Sequence, residues 1–337
     1  MEILITVIKI AVVMGVMLGA VAYIVLVERK VAAAIQNRIG PNRVGWQGLL
    51  QPLADVLKLV MKEDIVPAKA NKFIHDLAPI ISITVALTTF AVVPFGNHIN
   101  LFGHDIKLQI ADVNIGILYI LALTSLGVYG VTLSGWSSNN KYSLLGGMRS
   151  SAQMISYELS MGVSVIGVVM IAGSLQLDKV VEAQAGWHWN IFLQPIGFIT
   201  FLVASFAETN RLPFDLPEAE PELVAGYHTE YSGLKFGLFY LTEYAAMLTS
   251  SAIITTLYLG GWQLPFVHSF GLSDFSVAIL QVLAFCVKVI LLVLFFIVIR
   301  WTIPRFRYDQ LMNIGWKVML PLAILNLLLT GVGMLIF

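Results

Sequence analysis

Eight long apolar segments alternate with polar connections along the 337-residue chain. One helical crossing of a bilayer takes about 20 apolar residues, and each segment is close to that length. The pattern therefore predicts an all-α, polytopic integral membrane protein with eight transmembrane helices and a single membrane domain over residues 1–337. The predicted spans are Ile3–Val27, Leu77–Phe95, Ile115–Leu133, Ser151–Gly173, Ile191–Ala207, Leu234–Leu259, Ser276–Ile299 and Val318–Phe337.

The connection over residues 28–76 contains a stretch with a different period. Between Trp46 and Lys62 most residues are apolar, and a polar residue recurs every three or four positions. This spacing predicts an amphipathic inner-side helix, too short and too charged to span a membrane, that lies at the interface. A core helix of a small soluble domain would show the same pattern. The recurring polar residues are Gln51, Asp55, Lys58 and Lys62.

Lys and Arg fall almost entirely in alternate connections. Sixteen of the twenty lie in the first, third, fifth and seventh connections. Because inward-facing loops of membrane proteins carry an excess of these residues, the odd connections are predicted to face inwards. An even number of spans then places both termini on the outer side.

The connection over residues 208–235 is predicted to be an acidic inner-side loop. Glu158 and Glu243 lie in the spans beside it, each roughly 10 Å from the inner face at about 1.5 Å per residue. Acids at or inside a bilayer are costly and are typical of proton or ion paths. Close carboxylates raise each other's pKa values, so we expect some of them to bind protons near neutral pH. The predicted relay contains Glu158, Glu208, Asp215, Glu218, Glu220, Glu222, Glu230 and Glu243.

The bland alternative to this relay is an exposed acidic loop with isolated acids satisfied by neighbouring hydroxyls. Lys288 is a further candidate for the relay, since it lies twelve residues from both Ser276 and Arg300, too deep for its amine to extend easily to water. It therefore needs an anion or water nearby. Its candidate partners are Glu158, Glu243, a buried water cavity or a carboxylate of another subunit.

Residue content excludes several kinds of redox site. The single cysteine, Cys286, cannot supply the thiolates of an iron–sulfur cluster, and the histidine positions argue against a bis-histidine haem. Phosphate-binding glycine loops and zinc-protease motifs are absent. Twenty basic and twenty acidic residues balance, so no nucleic-acid partner is expected. The chain is predicted to bind no metal or flavin and to offer a route to protons only.

Three segments resemble a known family. The longest is Glu208–Tyr231, with the sequence ETNRLPFDLPEAEPELVAGYHTEY, and the others are Glu28–Lys30 and Gln36–Gly45. They closely resemble signatures of the H subunit of bacterial NADH:quinone oxidoreductase (respiratory complex I), the counterpart of the first mitochondrial NADH dehydrogenase membrane subunit. The resemblance covers essentially the whole chain. One departure is Pro221, where many relatives carry a small residue other than proline.

The resemblance implies a quinone chamber. In that family, quinone enters from the bilayer between the first span, the amphipathic helix and the sixth span, and reaches a site capped by two peripheral subunits. The resemblance also implies that the carboxylates relay quinone reduction to proton translocation. Carried over to this sequence, the residues of the chamber are Arg29, Gln36, Arg38, Arg43 and Phe214.

The same resemblance implies the cofactors, partners and location of the assembled enzyme. Ubiquinone or menaquinone is the expected substrate, whereas NADH, flavin mononucleotide and iron–sulfur clusters are expected on partner subunits. The expected partners are the peripheral quinone-site subunits, the subunit with the terminal iron–sulfur cluster, and small membrane subunits that lead to antiporter-like subunits. Membrane lipid surrounds the chain, and the implied location is the bacterial cytoplasmic (inner) membrane.

Two other functions fit part of the pattern. The homologous membrane subunit of an energy-converting hydrogenase or formate hydrogenlyase carries acids on the same scaffold without a quinone. The complete Glu208–Tyr231 segment favours the quinone enzyme over this alternative. A free-standing secondary cation transporter would use Glu158, Glu243 and Lys288 for ion coupling, but the lack of internal repeats argues against it.

Overall fold

The described chain is almost entirely helical. The structure, a computed structural model, describes residues 2–101, 104–215, 223–265 and 273–336. Its helices are α1 (Glu2–Ile35), α2 (Gln51–Met61), α3 (Lys72–Thr89), α4 (Gly116–Ser137), α5 (Lys141–Ala172), α6 (Leu177–Ala183), α7 (Asn190–Leu193), α8 (Pro195–Glu208), α9 (Gly233–Tyr258), α10 (Asp274–Thr302), α11 (Tyr308–Ile314) and α12 (Leu320–Ile336).

Shorter elements join these helices. Single 3-10 turns cover Trp46–Gly48, Phe90–Val92 and Gly226–His228, and a π-helical turn, Gly315–Met319, connects α11 to α12. Strands β1 (His98–Leu101) and β2 (His104–Lys107) form a small antiparallel hairpin. Within the described ranges this hairpin is the whole of the sheet structure.

The predicted all-α polytopic membrane fold is confirmed, but not the number of eight spans. Six helical stretches of the described chain are long and apolar enough to cross a membrane: Ile3–Ile35, Lys72–Val92, Gly116–Ser137, Lys141–Ala172, Asp274–Thr302 and Tyr308–Ile336. The fifth predicted span forms α8, which has only 14 residues. The sixth forms α9, which has 26 residues but includes Lys235, Glu243 and several hydroxyls. That α8 and α9 also cross the membrane stays a prediction.

The amphipathic helix is shorter than the polar pattern that predicts it. Helix α2 begins at Gln51 because the chain turns sharply before it. Gly48 adopts a φ of 81°, and a Cβ atom there would lie 2.4 Å from the carbonyl oxygen of Pro41. Along α2 the side chains of Leu53, Leu57 and Val60 are all more than half exposed. This uncovered apolar face is typical of a helix at a membrane surface.

Helices α5 and α9 form the centre of the bundle. Helix α5 packs against α4, α8 and α12, while α9 packs against α3, α10 and α1. Close approach of α4 and α5 depends on small residues, since a Cβ atom on Gly135 would lie 2.6 Å from the Ser143 carbonyl oxygen. The core between these helices contains fully buried side chains from both, such as Tyr157 and Met247.

The connection after α1 and the connection before α9 meet each other. Lys235 Nζ lies 2.7 Å from Asp64 Oδ2 and 2.6 Å from Asp76 Oδ1. The His75 ring stacks on the Tyr231 ring with centroids 3.9 Å apart and planes 5° from parallel. The connection that begins after α1 is therefore fastened to the segment that leads into α9.

Candidate functional site: a buried ionic cluster beside a cavity with two carboxyl groups

Four charged side chains meet between α1, α9, α10 and the segment that follows α8. We call Glu28, Arg211, Glu243 and Arg300 the ionic cluster. Glu28 and Arg211 are only 4% and 1% exposed. The side chains of Glu243 and Arg300 are 12% and 15% exposed. Two positive and two negative groups thus share one largely dry site, and their formal charges cancel.

Arg211 is the centre of this cluster. Its Nε donates to Glu243 Oε1 at 2.6 Å, and its Nη1 donates to Glu28 Oε2 at 3.1 Å. The guanidinium also lies 4.1 Å from the ring centroid of Tyr244. Burial alone would lower the pKa of Arg211, but the carboxylates of Glu243 and Glu28 outweigh it and raise that pKa. Arg211 therefore stays charged at any physiological pH.

Arg300 completes the network from α10. Its Nη1 donates to Glu28 Oε1 at 2.6 Å and lies 3.9 Å from Glu243 Oε1. Removing water from a charged group costs several kcal/mol, and this cost is offset only when opposite charges and hydrogen bonds replace the water. The cluster is therefore a place where the gain or loss of one proton has a large energetic effect.

Glu243 also lines a cavity of about 110 Å³ enclosed by α3, α4, α5, α8 and α9. Glu208 lies on the same wall, and the hydroxyls of Thr124, Ser205 and Thr242 are among the polar groups around it. One buried water needs roughly 10–15 Å³ of such space and two to four polar partners. Most of the lining is apolar, but these carboxyl and hydroxyl groups provide polar partners, and the space is large enough for several waters in contact with two carboxyl groups.

Glu158 of α5 lies near Glu208, which lines this cavity. The carboxylate of Glu158 accepts a hydrogen bond from Ser125 Oγ of α4. Glu158 is also close enough to Glu208 for their negative charges to repel each other. The structure thus brings together three of the predicted relay acids, Glu158, Glu208 and Glu243.

The other described acids of the predicted relay lie in separate surroundings. Asp215 is buried, and its Oδ2 accepts a hydrogen bond from Arg305 Nη2 at 3.2 Å. Glu230 Oε1 accepts from Asn140 Nδ2 at 2.6 Å. Neither residue lines the cavity that Glu208 and Glu243 share. Three further predicted acids, Glu218, Glu220 and Glu222, lie outside the described residues.

Burial perturbs two titratable rings in the segment before α9. Burial lowers the pKa of His228 to about 4, so its imidazole is neutral at physiological pH. Burial also raises the pKa of Tyr231 to about 12, while its hydroxyl pairs with Ser137 Oγ at 3.3 Å. These rings fix the segment between the acidic loop and α9 without adding charge.

The residues predicted to shape a quinone chamber lie on two different surfaces. Arg29 Nη1 of α1 lies 2.8 Å from Asp55 Oδ2 of α2. Arg38 Nε donates to Gln36 Oε1 at 2.7 Å, and both side chains are exposed. The remaining arginine, Arg43, is exposed on a surface hollow that it shares with Arg38 and Gln51.

Phe214, the fifth predicted chamber residue, lies in the interior. It is 5% exposed and packs against Tyr157 and Phe306, with ring centroids 5.4 and 5.6 Å away. In this arrangement Phe214 anchors the segment that follows α8 against α5. It is separated from the exposed hollow that Arg38 and Arg43 share.

The prediction that Glu158 or Glu243 partners Lys288 is wrong. Lys288 Nζ donates to three backbone carbonyls, those of Leu259, Gly261 and Gln263, at 2.8, 2.9 and 2.9 Å. It also lies 4.5 Å from the ring centroid of Trp189. Carbonyls at the end of a helix lack donors of their own and attract a positive charge. Lys288 therefore binds the C-cap carbonyl of α9 and two carbonyls of the segment that follows, and among the described residues its amine is paired with these carbonyls rather than with Glu158 or Glu243.

Comparisons with known proteins point in one direction. The profile of the family described as NADH dehydrogenase matches residues 8–331. The H 1 subunit of NADH-quinone oxidoreductase from Cytophaga hutchinsonii is 52% identical over 315 residues, which cover 94% of this chain and 92% of that protein. "NADH-quinone oxidoreductase subunit 8" of Rhodothermus marinus is 52% identical over 331 residues, covering 95% and 94%. The H subunit of NADH-quinone oxidoreductase from Salinibacter ruber is 51% identical over 335 residues, covering 96% and 94%.

The chain belongs to the NADH dehydrogenase family. Membership confirms the resemblance carried by the segments Glu28–Lys30, Gln36–Gly45 and Glu208–Tyr231. It makes the chain a subunit of NADH-quinone oxidoreductase, an oxidoreductase complex. With six apolar membrane-length helices in its described part, this NADH dehydrogenase family chain is an integral membrane protein. In the same described part, no group of three or more His, Cys, Asp or Glu residues could hold a metal ion.

Three residues of the ionic cluster are not singled out by the sequence. Glu28 stands out only as part of the Glu28–Lys30 segment, and Arg211 and Arg300 stand out only as positive charges predicted to face inwards. A signal exists, because a carboxylate near the end of an apolar span needs a nearby cation. The sequence does not reveal which arginine pairs with which acid, since Arg300 and Glu28 are 272 positions apart in this NADH dehydrogenase family chain.

Proposed function

We propose that the chain forms, with peripheral subunits of NADH-quinone oxidoreductase, the chamber in which quinone is reduced, and that its buried carboxylates relay this reduction to proton translocation. The observation that carries the proposal is the double position of Glu243. This carboxylate pairs with Arg211 in the ionic cluster and also lines the cavity shared with Glu208. A change of charge in the ionic cluster therefore alters the electrostatic potential in the cavity, and the reverse also holds.

Reduction of a quinone consumes two electrons and two protons, so the chamber loses positive charge unless protons follow. Glu158, Glu208 and Glu243 are the proposed core of the path, because Glu208 and Glu243 line one cavity large enough for several waters and Glu158 lies near Glu208. Asp215 and Glu230, with Glu218, Glu220 and Glu222, are proposed to extend the path along the inner side. Lys288 is not included, because its amine is engaged by carbonyls at the end of α9.

The proposed wall of the chamber is the surface near the first inner connection. Arg29 ties α1 to α2, while Arg38 and Arg43 face an open hollow that a peripheral subunit would close. Gln36 orients Arg38, and Phe214 anchors the segment from which Arg211 projects. The uncovered apolar face of α2 provides an apolar surface along which a lipid-soluble quinone could enter from the bilayer.

The assembled enzyme supplies what this chain lacks. Its partners are proposed to be the peripheral quinone-site subunits, including the one with the terminal iron–sulfur cluster, and small membrane subunits leading to antiporter-like subunits. NADH and flavin mononucleotide bind to partner subunits, and ubiquinone or menaquinone is the substrate. The proposed location is the bacterial cytoplasmic membrane, with both termini outside, since the basic connections then face inwards.

The test compares Glu208→Gln and Glu243→Gln in the assembled complex reconstituted into vesicles. We expect NADH-driven quinone reduction and proton uptake to fall together, because a glutamine cannot carry a proton. Electron transfer from NADH to a water-soluble acceptor, which bypasses the membrane site, is expected to be unchanged. Glu182→Gln is the matched control, since Glu182 is an exposed acid outside the cavity. Wild-type rates of quinone reduction and proton uptake in both cavity variants would show the proposal to be wrong.

A further inference from the structure

A single buried amide fastens both ends of the segment that carries Arg211. We call residues 207–214 the Arg211 segment. Gln153 of α5 is fully buried, and its Nε2 donates to the carbonyl oxygens of Ala207 and Phe214, both at 2.8 Å. The same nitrogen lies 3.3 Å from Asn210 Oδ1. One side chain from a neighbouring helix thus holds the first, a middle and the last residue of the segment.

Few side chains can replace this amide. Both backbone carbonyls are acceptors only, so the group between them needs two N–H or O–H donors on one atom. This requirement also assigns the orientation of the Gln153 amide, with its nitrogen towards the segment. A methionine of similar size has no donor, and an ionised glutamate places negative charge against two carbonyl oxygens. A protonated glutamic acid supplies one donor.

The other contacts of α5 with the Arg211 segment are the packing of Tyr157 on Phe214 and single side-chain contacts to Asn210, so Gln153 is the α5 side chain that holds its backbone at both ends. A turn within it is closed by Phe214 N and the Arg211 carbonyl at 2.8 Å, and Ser150 Oγ lies 3.1 Å from Asn210 Oδ1. Arg211 leaves this turn and reaches Glu243 and Glu28. Displacement of the turn would therefore change both ion pairs at once.

We propose that Gln153 is the positioning residue of the ionic cluster: by holding residues 207 and 214 it sets where Arg211 stands, and so how strongly Glu243 is paired. This inference rests on the proposed role of Glu243 in proton transfer. Gln153 itself does not line the cavity, although it contacts Asn210, which does, and it lies away from the exposed hollow that Arg38 and Arg43 share. Its loss is accordingly expected to change turnover more than quinone affinity.

The experiment measures quinone reduction and proton uptake in assembled complexes with Gln153→Met and Gln153→Glu. We expect kcat per complex to fall about tenfold to a hundredfold, as for other displacements of about 1 Å near a reacting group, with little change in the KM for quinone. Activity of Gln153→Glu should recover partly as the pH is lowered, because protonation creates a donor. Gln153→Met should show no such recovery. Wild-type kcat in both variants, or the same pH profile in both, would overturn the inference.

A milder variant covers the case in which Gln153→Met does not assemble. Gln153→His keeps an N–H donor on a shorter side chain, so we expect an intermediate kcat with an unchanged KM. A wild-type kcat in the assembled Gln153→His complex would overturn the inference. A structure of any assembled variant should show Arg211 Nε farther from Glu243 Oε1 than the present 2.6 Å; an unchanged separation would equally overturn it.

Gln184 provides a matched control at the other end of the bundle. It is 1% exposed, and its Nε2 donates to the carbonyl oxygens of Val180 and Thr256 at 3.1 and 2.9 Å. Gln184→Met should lower thermal stability and leave kcat, KM and the pH profile unchanged. An equal loss of kcat there would mean that removing any buried amide suffices, against the inference.

The Glu243→Gln complex separates the two proposals. If Glu243→Gln pumps normally, the proposed function itself is wrong. If Glu243→Gln loses pumping while the Gln153 variants behave as wild type, only the positioning role of Gln153 is wrong.

Discussion

Arg211 Nε lies 2.6 Å from Glu243 Oε1 in a site where Arg211 is almost completely buried. Replacing Arg211 by Gln should destabilise the chain by about 3–5 kcal/mol, because Glu243 then loses its closest cation and buried Glu28 keeps only Arg300. In the double variant Arg211→Gln with Glu243→Gln, part of that loss should return. Thermal unfolding of the solubilised complex with Arg211→Gln, with Glu243→Gln and with both changes gives a double-mutant cycle. Strict additivity of the two single effects would contradict a direct coupling between these residues.

Variants of Lys288 test whether its amine stabilises the end of α9 or carries protons. Lys288→Met leaves the carbonyls of Leu259, Gly261 and Gln263 without their donor, at a cost of about 1–3 kcal/mol. We therefore expect a lower unfolding temperature and an unchanged ratio of protons pumped to electrons transferred. Lys288→Arg, which keeps a cation and several donors, is the control and should be more stable than Lys288→Met. Loss of pumping without loss of stability would return Lys288 to the relay.

Arg38 tests the proposed chamber wall. Arg38→Ala removes an exposed side chain whose hydrogen bond to Gln36 contributes only about 0.5–1.5 kcal/mol. The apparent KM for quinone should rise while the yield of assembled complex stays constant. Steady-state kinetics with purified complex give the first quantity, and native gel electrophoresis gives the second. Lys69→Ala, another exposed cation of the same connection, should change neither; loss of assembly alone in Arg38→Ala would indicate a structural arginine.

His228 makes the fold sensitive to acid. Its pKa is about 4 in the folded chain, against 6.5 for an ordinary histidine. As the pH falls below about 6.5, His228 binds a proton in the unfolded chain but stays neutral in the folded chain. The free energy of unfolding therefore decreases until about pH 4. The full loss is about 3 kcal/mol, from a shift of roughly two and a half pKa units.

Thermal unfolding of the solubilised complex at about pH 7.5 and about pH 5 measures this effect. His228→Gln should lose part of the acid sensitivity, because glutamine does not titrate. His188→Gln, at an exposed histidine, should keep it. Equal acid sensitivity in wild type and His228→Gln would contradict the burial of a neutral imidazole.

The membrane helices could be predicted from sequence because their cause is local. A backbone in lipid must satisfy its own hydrogen bonds, so each apolar stretch of sufficient length becomes a helix. The ends of these helices were harder to place. Helix α1 continues to Ile35, beyond the predicted Val27, and α5 begins at Lys141 rather than Ser151. Polar residues extend both helices past the apolar segment that reveals them.

The acids of the site could also be predicted, but their partners could not. Glu158 and Glu243 stand out because an acid within an apolar segment is rare and costly. The cation that meets Glu243 comes from a loop 32 positions away, and the other cation comes from α10. Lys288 shows the reverse error: a buried lysine suggested a carboxylate partner, whereas three backbone carbonyls hold it. Such pairings depend on how distant helices pack, which no local pattern records.

The cancelled charges of Glu28, Arg211, Glu243 and Arg300 allow information to travel without mechanical movement. One proton added to Glu243 turns a neutral quartet into a site with a single positive charge. At a distance of about 10 Å and an effective dielectric constant of about 20, that charge changes the energy of another ionised group by about 1.7 kcal/mol. This exceeds the free energy of one pKa unit, about 1.4 kcal/mol. A neighbouring carboxylic acid would respond by releasing its own proton. Protonation of one carboxylate can therefore change the protonation of the next without any movement of the helices.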